Sequence, residues 1–239
     1  MKHYILANPY SGRKNGSKVA IAVQKLLRKY GINAQIILSK YPKHLTEVSH
    51  DLSHEYNCRF YVIGGDGTLN EVVSGMVGTD SDIVIIPSGT GNDFVKSVSK
   101  YMSMRKIVIS SIKKKSTPID VLKINDDKYC INILNVGFDA LVAQNVNIFR
   151  KVPLLSGKMK YNLSIFYSLL FNKNYKFKLR ADNTVLKKSF TLIAVANGKY
   201  YGGGIIPCPD AIVDDGYANI CAIDSTTVKQ KLFFLPSYS

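Results

Sequence analysis

Short apolar segments alternate with amphipathic segments along the first half of the chain. The apolar runs have the length of buried strands, and the segments between them repeat their apolar residues at helical spacing. The predicted strands are His3–Ala7, Ala34–Leu38, Phe60–Ile63 and Ile83–Ile86. The predicted helices carry Val19, Val23, Leu26, Leu27 and Tyr30, then span Leu45–Tyr56 and Leu69–Val77. This alternation predicts an α/β domain with a parallel sheet and helices on both faces.

The pattern changes after Lys113–Lys115, where strand-like segments separated by turn residues become dominant. The predicted strands are Pro118–Ile124, Tyr129–Val136, Tyr175–Arg180, Ser189–Ala196 and Ala218–Ile223. Helical spacing occurs at Asp139–Asn147 and Lys158–Phe171. We therefore predict two domains, an α/β domain over residues 1–118 and a mostly antiparallel β domain over residues 119–239.

Three glycine-containing turns follow predicted strands of the first domain, at Asn8–Gly12, Gly64–Glu71 and Pro87–Phe94. The carboxyl ends of parallel strands lie at one edge of the sheet, so the three turns are expected to line one crevice. Glycines let backbone amides approach phosphates, and the Asp66 carboxylate suits a phosphate-bound Mg²⁺ or a ribose hydroxyl. The alternative is a tight turn in which Asp66 caps a helix. Neither a Walker P-loop nor the usual dinucleotide fingerprint is present.

The net charge and the cysteine content further narrow the classes of protein that this sequence could encode. The net charge is +15, and the stretch from Leu141 to Phe190 holds ten basic residues against a single acid, Asp182. Such a stretch attracts polyanions, although a solvated basic surface would look the same. The four cysteines form no C-x-x-C pair, which argues against a zinc ribbon or a disulfide scaffold. Without a signal-like or membrane-spanning apolar run, we expect a cytoplasmic protein.

The motifs, taken in order, resemble the catalytic domain of diacylglycerol kinases, a family that includes bacterial diacylglycerol kinases and sphingosine kinases. The three glycine turns carry the first part of the likeness. The second part lies in Ile119–Asp120, Asn135–Ala140, Gly202–Gly204 and Pro209–Gly216. The resemblance implies a Rossmann-like nucleotide-binding domain, a β-sandwich lipid domain and ATP bound in a cleft.

The resemblance also implies the site residues. The expected ATP contacts are Asn8, Pro9, Tyr10, Ser11, Gly12, Ser39, Gly65, Asp66, Gly67, Thr68, Leu69, Asn70, Glu71 and Thr90. A Mg²⁺ is expected on the loop Ile212–Tyr217, held by the backbone carbonyls of Ile212 and Tyr217 and the side chain of Asp215. A plain hairpin turn at Asp214–Gly216 is the alternative for this loop.

The function that this likeness implies is an ATP- and Mg²⁺-dependent lipid kinase of phospholipid metabolism. It would transfer the γ-phosphoryl group to the hydroxyl of diacylglycerol or a related lipid. The basic, aromatic stretch Arg150–Phe171 would rest on the anionic inner face of a membrane. Nucleic acid is not an expected partner, and a homodimer is left open. The alternatives are an NAD kinase-like enzyme and a catalytically inactive protein that binds nucleotide or lipid.

One departure from the family pattern concerns the general base. Family members carry an Asp-Gly-Glu-type motif well downstream of the Asp-Asp-Gly turn, whereas Asp224 is the only acid after Gly216 here. The base and the closing strands of the second domain are therefore expected beyond Ser239. On this expectation the 239-residue chain binds ATP but transfers phosphate poorly, unless Asp139 or Asp224 serves as the base.

Overall fold

A computed structural model describes residues 1–11, 15–99, 102–150, 163–165, 167–168, 175–225 and 227. The chain divides into two compact units. Unit 1 comprises Met1–Asn132 and Asn197–Tyr217, and unit 2 comprises Ile133–Ala196 and Ala218–Ser239. No helix in the described ranges has both the length and the apolar character needed to cross a membrane.

Unit 1 is built on a parallel sheet with the strand order β2-β1-β3-β4. Its strands are β1 Lys2–Ala7, β2 Ala34–Leu38, β3 Cys58–Gly64 and β4 Asp82–Pro87, followed by a short antiparallel pair, β5 Leu122–Ile124 and β6 Lys128–Cys130. Its helices are α1 Gly16–Arg28, α2 His44–Glu55, α3 Asp66–Met76, α4 Asp93–Val98 and α5 Met104–Lys113.

Helices cover both faces of this sheet, as the sequence predicts. Because side chains alternate along a strand, Tyr4 and Leu6 of β1 face one side while Ile5 and Ala7 face the other. The first side packs against α2 and α3, and the second packs against α1 and α5. The three turns that follow β1, β3 and β4, and the helices α1, α3 and α4 after them, therefore start from one edge of the sheet.

A close helix crossing fixes α3 against α2. At Gly75 of α3 the two backbones approach so closely that a Cβ would overlap the Ser49 hydroxyl and the Thr46 carbonyl of α2. Thr46 also donates from its hydroxyl to the Glu71 carbonyl at 3.0 Å. The absence of a side chain at Gly75 thus sets the position of the helix that begins at Asp66.

The segment Asn197–Tyr217 belongs to unit 1, although the sequence analysis divides the chain once, between residues 118 and 119. The buried Asn197 side chain donates to the carbonyls of Asp120 and Ile131, both at 2.7 Å. Its backbone amide donates to the Asn132 carbonyl at 2.8 Å. These hydrogen bonds hold the start of the segment Asn197–Tyr217 against the first segment of unit 1, so unit 1 is discontinuous in sequence.

Unit 2 contains an antiparallel sheet in which β9 pairs with β10, β7 and β8. The strands are β7 Ile133–Gly137, β8 Tyr175–Ala181, β9 Thr184–Ala196 and β10 Asn219–Asp224, and the helix α6 Phe138–Arg150 follows β7. The β8–β9 pair extends past the end of β10, which reaches only as far as Phe190 on β9. We call the stretch Tyr175–Phe190 the β8–β9 arm.

One predicted element is divided in the structure. The predicted strand Tyr129–Val136 is interrupted, since β6 ends at Cys130 in unit 1 and β7 begins at Ile133 in unit 2. Between them Ile131 is buried in the core of unit 1, and its amide donates to the Asn70 side chain at 3.0 Å. The predicted helix Lys158–Phe171 lies largely outside the described residues.

Candidate functional site

The turns after β3 and β4 lie in direct backbone contact at the carboxyl edge of the sheet. The Ser88 amide donates to the Gly64 carbonyl at 2.9 Å. A Cβ on Gly89 would lie 2.5 Å from the Gly65 Cα, and a Cβ on Gly65 would lie 3.2 Å from the Gly89 Cα. Only residues without side chains allow the two turns to touch in this way, which explains a glycine at each position.

The Asp66 carboxylate bridges these two turns. Its Oδ1 accepts a hydrogen bond from the Phe94 amide at 3.0 Å, so Asp66 caps α4 rather than its own helix. A Cβ on Gly91 would lie 3.2 Å from the Oδ2 atoms of both Asp66 and Asp93. Two carboxylates therefore flank one glycine at the point where the turns meet, an arrangement suited to a cation that accompanies phosphates.

Asn8 connects the turn after β1 to the same place. Its side-chain oxygen accepts from the Tyr10 amide at 2.9 Å, and its carbonyl accepts from the Ser11 hydroxyl at 2.8 Å. Its Nδ2 donates to the Thr68 hydroxyl on α3 at 3.5 Å. A Cβ on Gly16 would overlap the Asn8 carbonyl, so the start of α1 is fixed against this turn as well.

The structure brings most predicted ATP contacts to this edge. Asn8, Ser11, Gly65, Asp66 and Thr68 lie within the bonded network, and Pro9 lies beside them in the same turn. Tyr10, Gly67 and Thr90 are exposed on the three turns, and Ser39 follows β2 with its amide bonded to the Ala7 carbonyl at 2.9 Å. Gly12 lies outside the described residues. These assignments stay predictions.

Three other predicted contacts have structural partners within the fold. The Leu69 side chain is 2% exposed and belongs to the core between the sheet, α2 and α3. The Asn70 side chain donates to the Tyr129 carbonyl at 3.1 Å and accepts from the Ile131 amide. Glu71 is half-buried. The side chains of Leu69 and Asn70 therefore hold the turn in place from the interior of unit 1.

Asp93 is a site residue that the sequence analysis did not assign. It is 4% exposed, its Oδ1 lies 2.6 Å from the Lys96 ammonium, and its Oδ2 accepts from the Gly203 amide at 2.8 Å. Gly202, Gly203 and Gly204 all have positive φ angles and form the tip of the loop closed by Tyr201 and Ile205. The buried acid in the motif Asn92–Asp93–Phe94 was the available signal, since a buried carboxylate requires partners.

The predicted metal loop has a second carboxylate beside it. The Asp120 Oδ2 accepts from the Gly216 amide at 2.7 Å, and the Asp120 amide donates to the Val213 carbonyl at 2.7 Å. Asp215 Oδ1 accepts from the Tyr217 amide at 3.0 Å. Asp120 thus holds the loop Ile212–Tyr217 from both ends.

This donor set fits a hard cation. Within the described part of the chain, Asp120 Oδ1 and Asp215 Oδ2 carry no hydrogen bond, and the side chains of Ile212 and Tyr217 are 50% and 74% exposed. Carboxylate and carbonyl oxygens are the ligands that Mg²⁺ prefers, usually together with several waters. No cluster of three or more His, Cys, Asp or Glu residues suited to a metal occurs among the described residues, so backbone oxygens would have to complete the set.

Thiol chemistry is not favoured in the described parts of either unit. Burial raises the pKa of the thiols of Cys58, Cys130 and Cys221 above the ordinary cysteine value. A raised pKa keeps the thiol protonated, and the thiolate is the nucleophile. At Cys58, Cys130 and Cys221 the thiol is therefore a poor candidate nucleophile.

Comparison with known families agrees with this geometry. The family model for the diacylglycerol kinase catalytic domain matches residues 2–124, and the chain belongs to that family. A second model, for the YegS C-terminal NAD kinase beta sandwich-like domain, matches residues 132–239. Both the parallel sheet of unit 1 and the antiparallel sheet of unit 2 agree with the α/β and β-sandwich fold predicted from the sequence.

Individual relatives agree with the family match. A protein of Staphylococcus carnosus (strain TM300) assigned as a lipid kinase is 32% identical over 185 residues, which is 77% of this chain and 58% of that protein. A YegS-like protein of Pectobacterium atrosepticum assigned as a lipid kinase is 30% identical over 68% of this chain and 55% of its own length. The chain thus spans little more than half the length of these relatives.

A solved structure shares the fold. The crystal structure of a diacylglycerol kinase from Bacillus anthracis str. Sterne superposes with a TM-score of 0.71 at 21% identity. The alignment covers 98% of this chain and 76% of that one. At this identity the likeness concerns the fold alone.

Proposed function

We propose that the protein is an ATP- and divalent-cation-dependent lipid kinase, and that unit 1 supplies its nucleotide site. The observation that carries this proposal is the backbone contact between Gly65 and Gly89, with Asp66 bridging the two turns. Two glycine turns held together at the carboxyl ends of parallel strands form a surface of amides with room for phosphates. Family membership supports a lipid hydroxyl as the acceptor.

The residues of unit 1 have distinct tasks under this proposal. Amides of the Gly65–Gly67 turn would bind phosphate oxygens, and the exposed Thr90 hydroxyl would add a donor. Asp66 would orient a phosphate-bound cation, Asp93 would hold the turn in place through Lys96 and Gly203, and Asn8 would position the first turn against α3. A divalent cation supplies neutralisation of the charge that develops on the transferred phosphoryl group.

Transfer from labelled ATP tests the proposed reaction. The protein is incubated with [γ-³²P]ATP, Mg²⁺ and diacylglycerol, sphingosine or NAD, and the products are separated. We expect label in a lipid product at the low rate that the sequence predicts for this chain, and none in NAD. Label in NAD would replace the proposal with an NAD kinase, and nucleotide binding without transfer to any acceptor would favour an inactive nucleotide-binding protein.

The loop Ile212–Tyr217 gives a separate prediction about the cation. We expect Mg²⁺ to raise the melting temperature of the protein relative to EDTA, because a ligand that binds only the folded state stabilises it. Asp215→Ala should abolish this difference, since it removes a charged oxygen from the predicted set. The matched control is Asp210→Ala, an exposed acid nearby in the sequence. If Mg²⁺ does not change the melting temperature of the parent protein, the loop is a plain turn and does not bind the cation.

A further inference from the structure

The β8–β9 arm projects as a two-stranded ribbon beyond the rest of its sheet. In the described part of the chain, residues Thr184–Lys188 of β9 pair only with β8, while β10 and β7 pair with the later residues of β9. A two-stranded ribbon standing alone is only marginally stable. The side chains of the arm are therefore expected to be chemically suited to the surface or molecule that the arm contacts.

The register places the basic side chains of the arm on one face. Residues directly opposite each other in an antiparallel pair point to the same side, and alternate residues share a face. Lys178 is opposite Lys187, and Lys176 and Arg180 flank Lys178 along β8. All four are exposed, and no acid of the described chain forms an ion pair with any of them.

The opposite face of the arm is arranged differently. Phe177 and Leu179 are half-buried there, and Phe190 at the base of the arm is fully buried. The cation on this side, Lys188, lies 2.6 Å from Asp224 and 5.4 Å from the centre of the Phe190 ring. The buried Phe190 fixes the orientation of the arm, so the four unneutralised cations all face outward.

The basic face of the arm contains a repulsion between like charges that the fold itself does not require. Like charges placed directly opposite each other across two strands destabilise the pair, and here Lys178 and Lys187 have no acid between them. A polyanion bound to the outward face would reverse this repulsion. The turn at the tip, Asp182–Asn183, is polar and exposed. Behind it, Val185 lies beside Arg180 and is 46% exposed, and Leu186, 37% exposed, lies on the other side.

We infer that the outward face of the β8–β9 arm, formed by Lys176, Lys178, Arg180 and Lys187, docks on an anionic lipid bilayer. Cations at the level of the lipid phosphates, with the exposed Val185 beside them to enter the interface, match the depth profile of a membrane. A single-stranded nucleic acid would gain from the cations but not from Val185 and Leu186, since its bases stack on aromatic side chains. The choice of a membrane over other polyanions rests on the proposed function.

Vesicle flotation with the full chain tests this inference. Binding is compared on vesicles of phosphatidylcholine alone and of phosphatidylcholine with phosphatidylglycerol at a ratio of about 3:1. The arm variant combines Lys176→Gln, Lys178→Gln, Arg180→Gln and Lys187→Gln. The matched control removes the same charge from exposed residues of unit 1 by Lys25→Gln, Arg28→Gln, Lys29→Gln and Lys106→Gln.

We expect the wild-type chain to bind only the anionic vesicles, and the arm variant to bind them at least about tenfold more weakly. The control variant should stay within about twofold of the wild type. Val185→Ser should weaken binding without changing the charge of the basic face, because it removes only the apolar side chain beside Arg180. Binding should also fall with added salt, as it does for charges at a surface.

Three results would overturn the inference. Equal losses in the arm and control variants would show that net charge alone drives binding, and equal binding to both vesicles would remove the anionic requirement. Tighter, arm-dependent binding to a single-stranded oligonucleotide than to vesicles would assign the face to nucleic acid. ATP binding, measured on the same variants, reports on unit 1 and so separates a failure of the arm from a failure of the proposed function.

Discussion

At the scale of single residues, the Asp66 carboxylate has a structural task and, under the proposed function, a chemical one. One oxygen caps α4 through the Phe94 amide, and the other lies beside Gly91 and Asp93. The two tasks differ in what they need, because capping requires only an acceptor oxygen while a cation requires charge. Conservative and non-conservative replacements should therefore have different effects.

We expect Asp66→Asn to keep the melting temperature of the parent and to weaken Mg·ATP binding by at least about tenfold. The Asn oxygen can still accept from Phe94, but the negative charge is lost. Asp66→Ala should lose binding and also about 1 kcal/mol of unfolding free energy with the cap. Calorimetric titration and urea unfolding measure the two effects, with Asp51→Asn as an exposed control. Unchanged binding by the Asn variant would assign Asp66 to structure alone.

His3 makes the stability of unit 1 sensitive to acid. Burial, and then the nearby Arg59 guanidinium, lower the pKa of His3 below its ordinary value of 6.5. Its Nδ1 is buried without a partner within the described chain. Below pH 6.5 the unfolded chain binds a proton that the folded chain resists, so this group destabilises the fold as the pH falls.

We therefore expect the unfolding free energy to fall less steeply from pH 7 to pH 5 in His3→Phe than in the parent. Phenylalanine keeps a ring beside Tyr61, which His3 stacks on at 6.1 Å between ring centres. Urea unfolding across the pH series measures the slope. His54→Gln on the exposed face of α2 is the control. Parallel curves for parent and His3→Phe would contradict the assignment.

At the scale of elements, the crossing of α2 and α3 determines where the glycine turn after β3 is held. Gly75 sits where the α2 backbone approaches most closely, whereas Gly67, in the first turn of the same helix, has no neighbour within 4 Å of an added Cβ. The same substitution should therefore have opposite consequences at the two positions.

Gly75→Ala should lower the unfolding free energy by about 1–3 kcal/mol, because the helices must separate to admit the methyl group. Gly67→Ala should leave it unchanged or raise it by up to about 1 kcal/mol, through the lower entropy of alanine in the unfolded chain. Urea unfolding of both variants measures the difference. Equal unfolding free energies for the two variants would show that α2 and α3 can move apart at little cost.

The elements of unit 1 could largely be predicted from the sequence. Apolar alternation predicts the four parallel strands, and Gly31, with a φ of 74°, follows α1 in the left-handed conformation that commonly ends a helix. The interruption between Cys130 and Ile133 could not be predicted, because the side chains that divert the chain there, Asn70 and Asn197, are distant in sequence. Asp93 was missed for a similar reason, since its partner Gly203 lies far along the chain.

At the scale of the whole molecule, Asn197 is the residue at which the discontinuous unit closes. Asn197→Ala should remove two buried hydrogen bonds, to Asp120 and Ile131, and lower the unfolding free energy of unit 1 by about 2–3 kcal/mol. Asn183→Ala, in the exposed turn of the β8–β9 arm, is the control. We also expect a smaller Mg²⁺ shift in melting temperature, since Asp120 holds the predicted metal loop. A variant as stable as the parent would show that other contacts close the unit.

The return of Asn197–Tyr217 to unit 1 has a consequence for synthesis on the ribosome. Unit 1 contains the first residues to leave the ribosome, but its contacts cannot all form at once. Asp93 bonds to Gly203 and Asp120 bonds to Gly216, and both glycines are translated much later. Domains generally fold as units during translation, from the amino terminus onward. Here the strands of unit 2 up to β9 are translated before unit 1 can close, so the carboxyl edge of the unit 1 sheet stays incomplete while the intervening sheet is already being made.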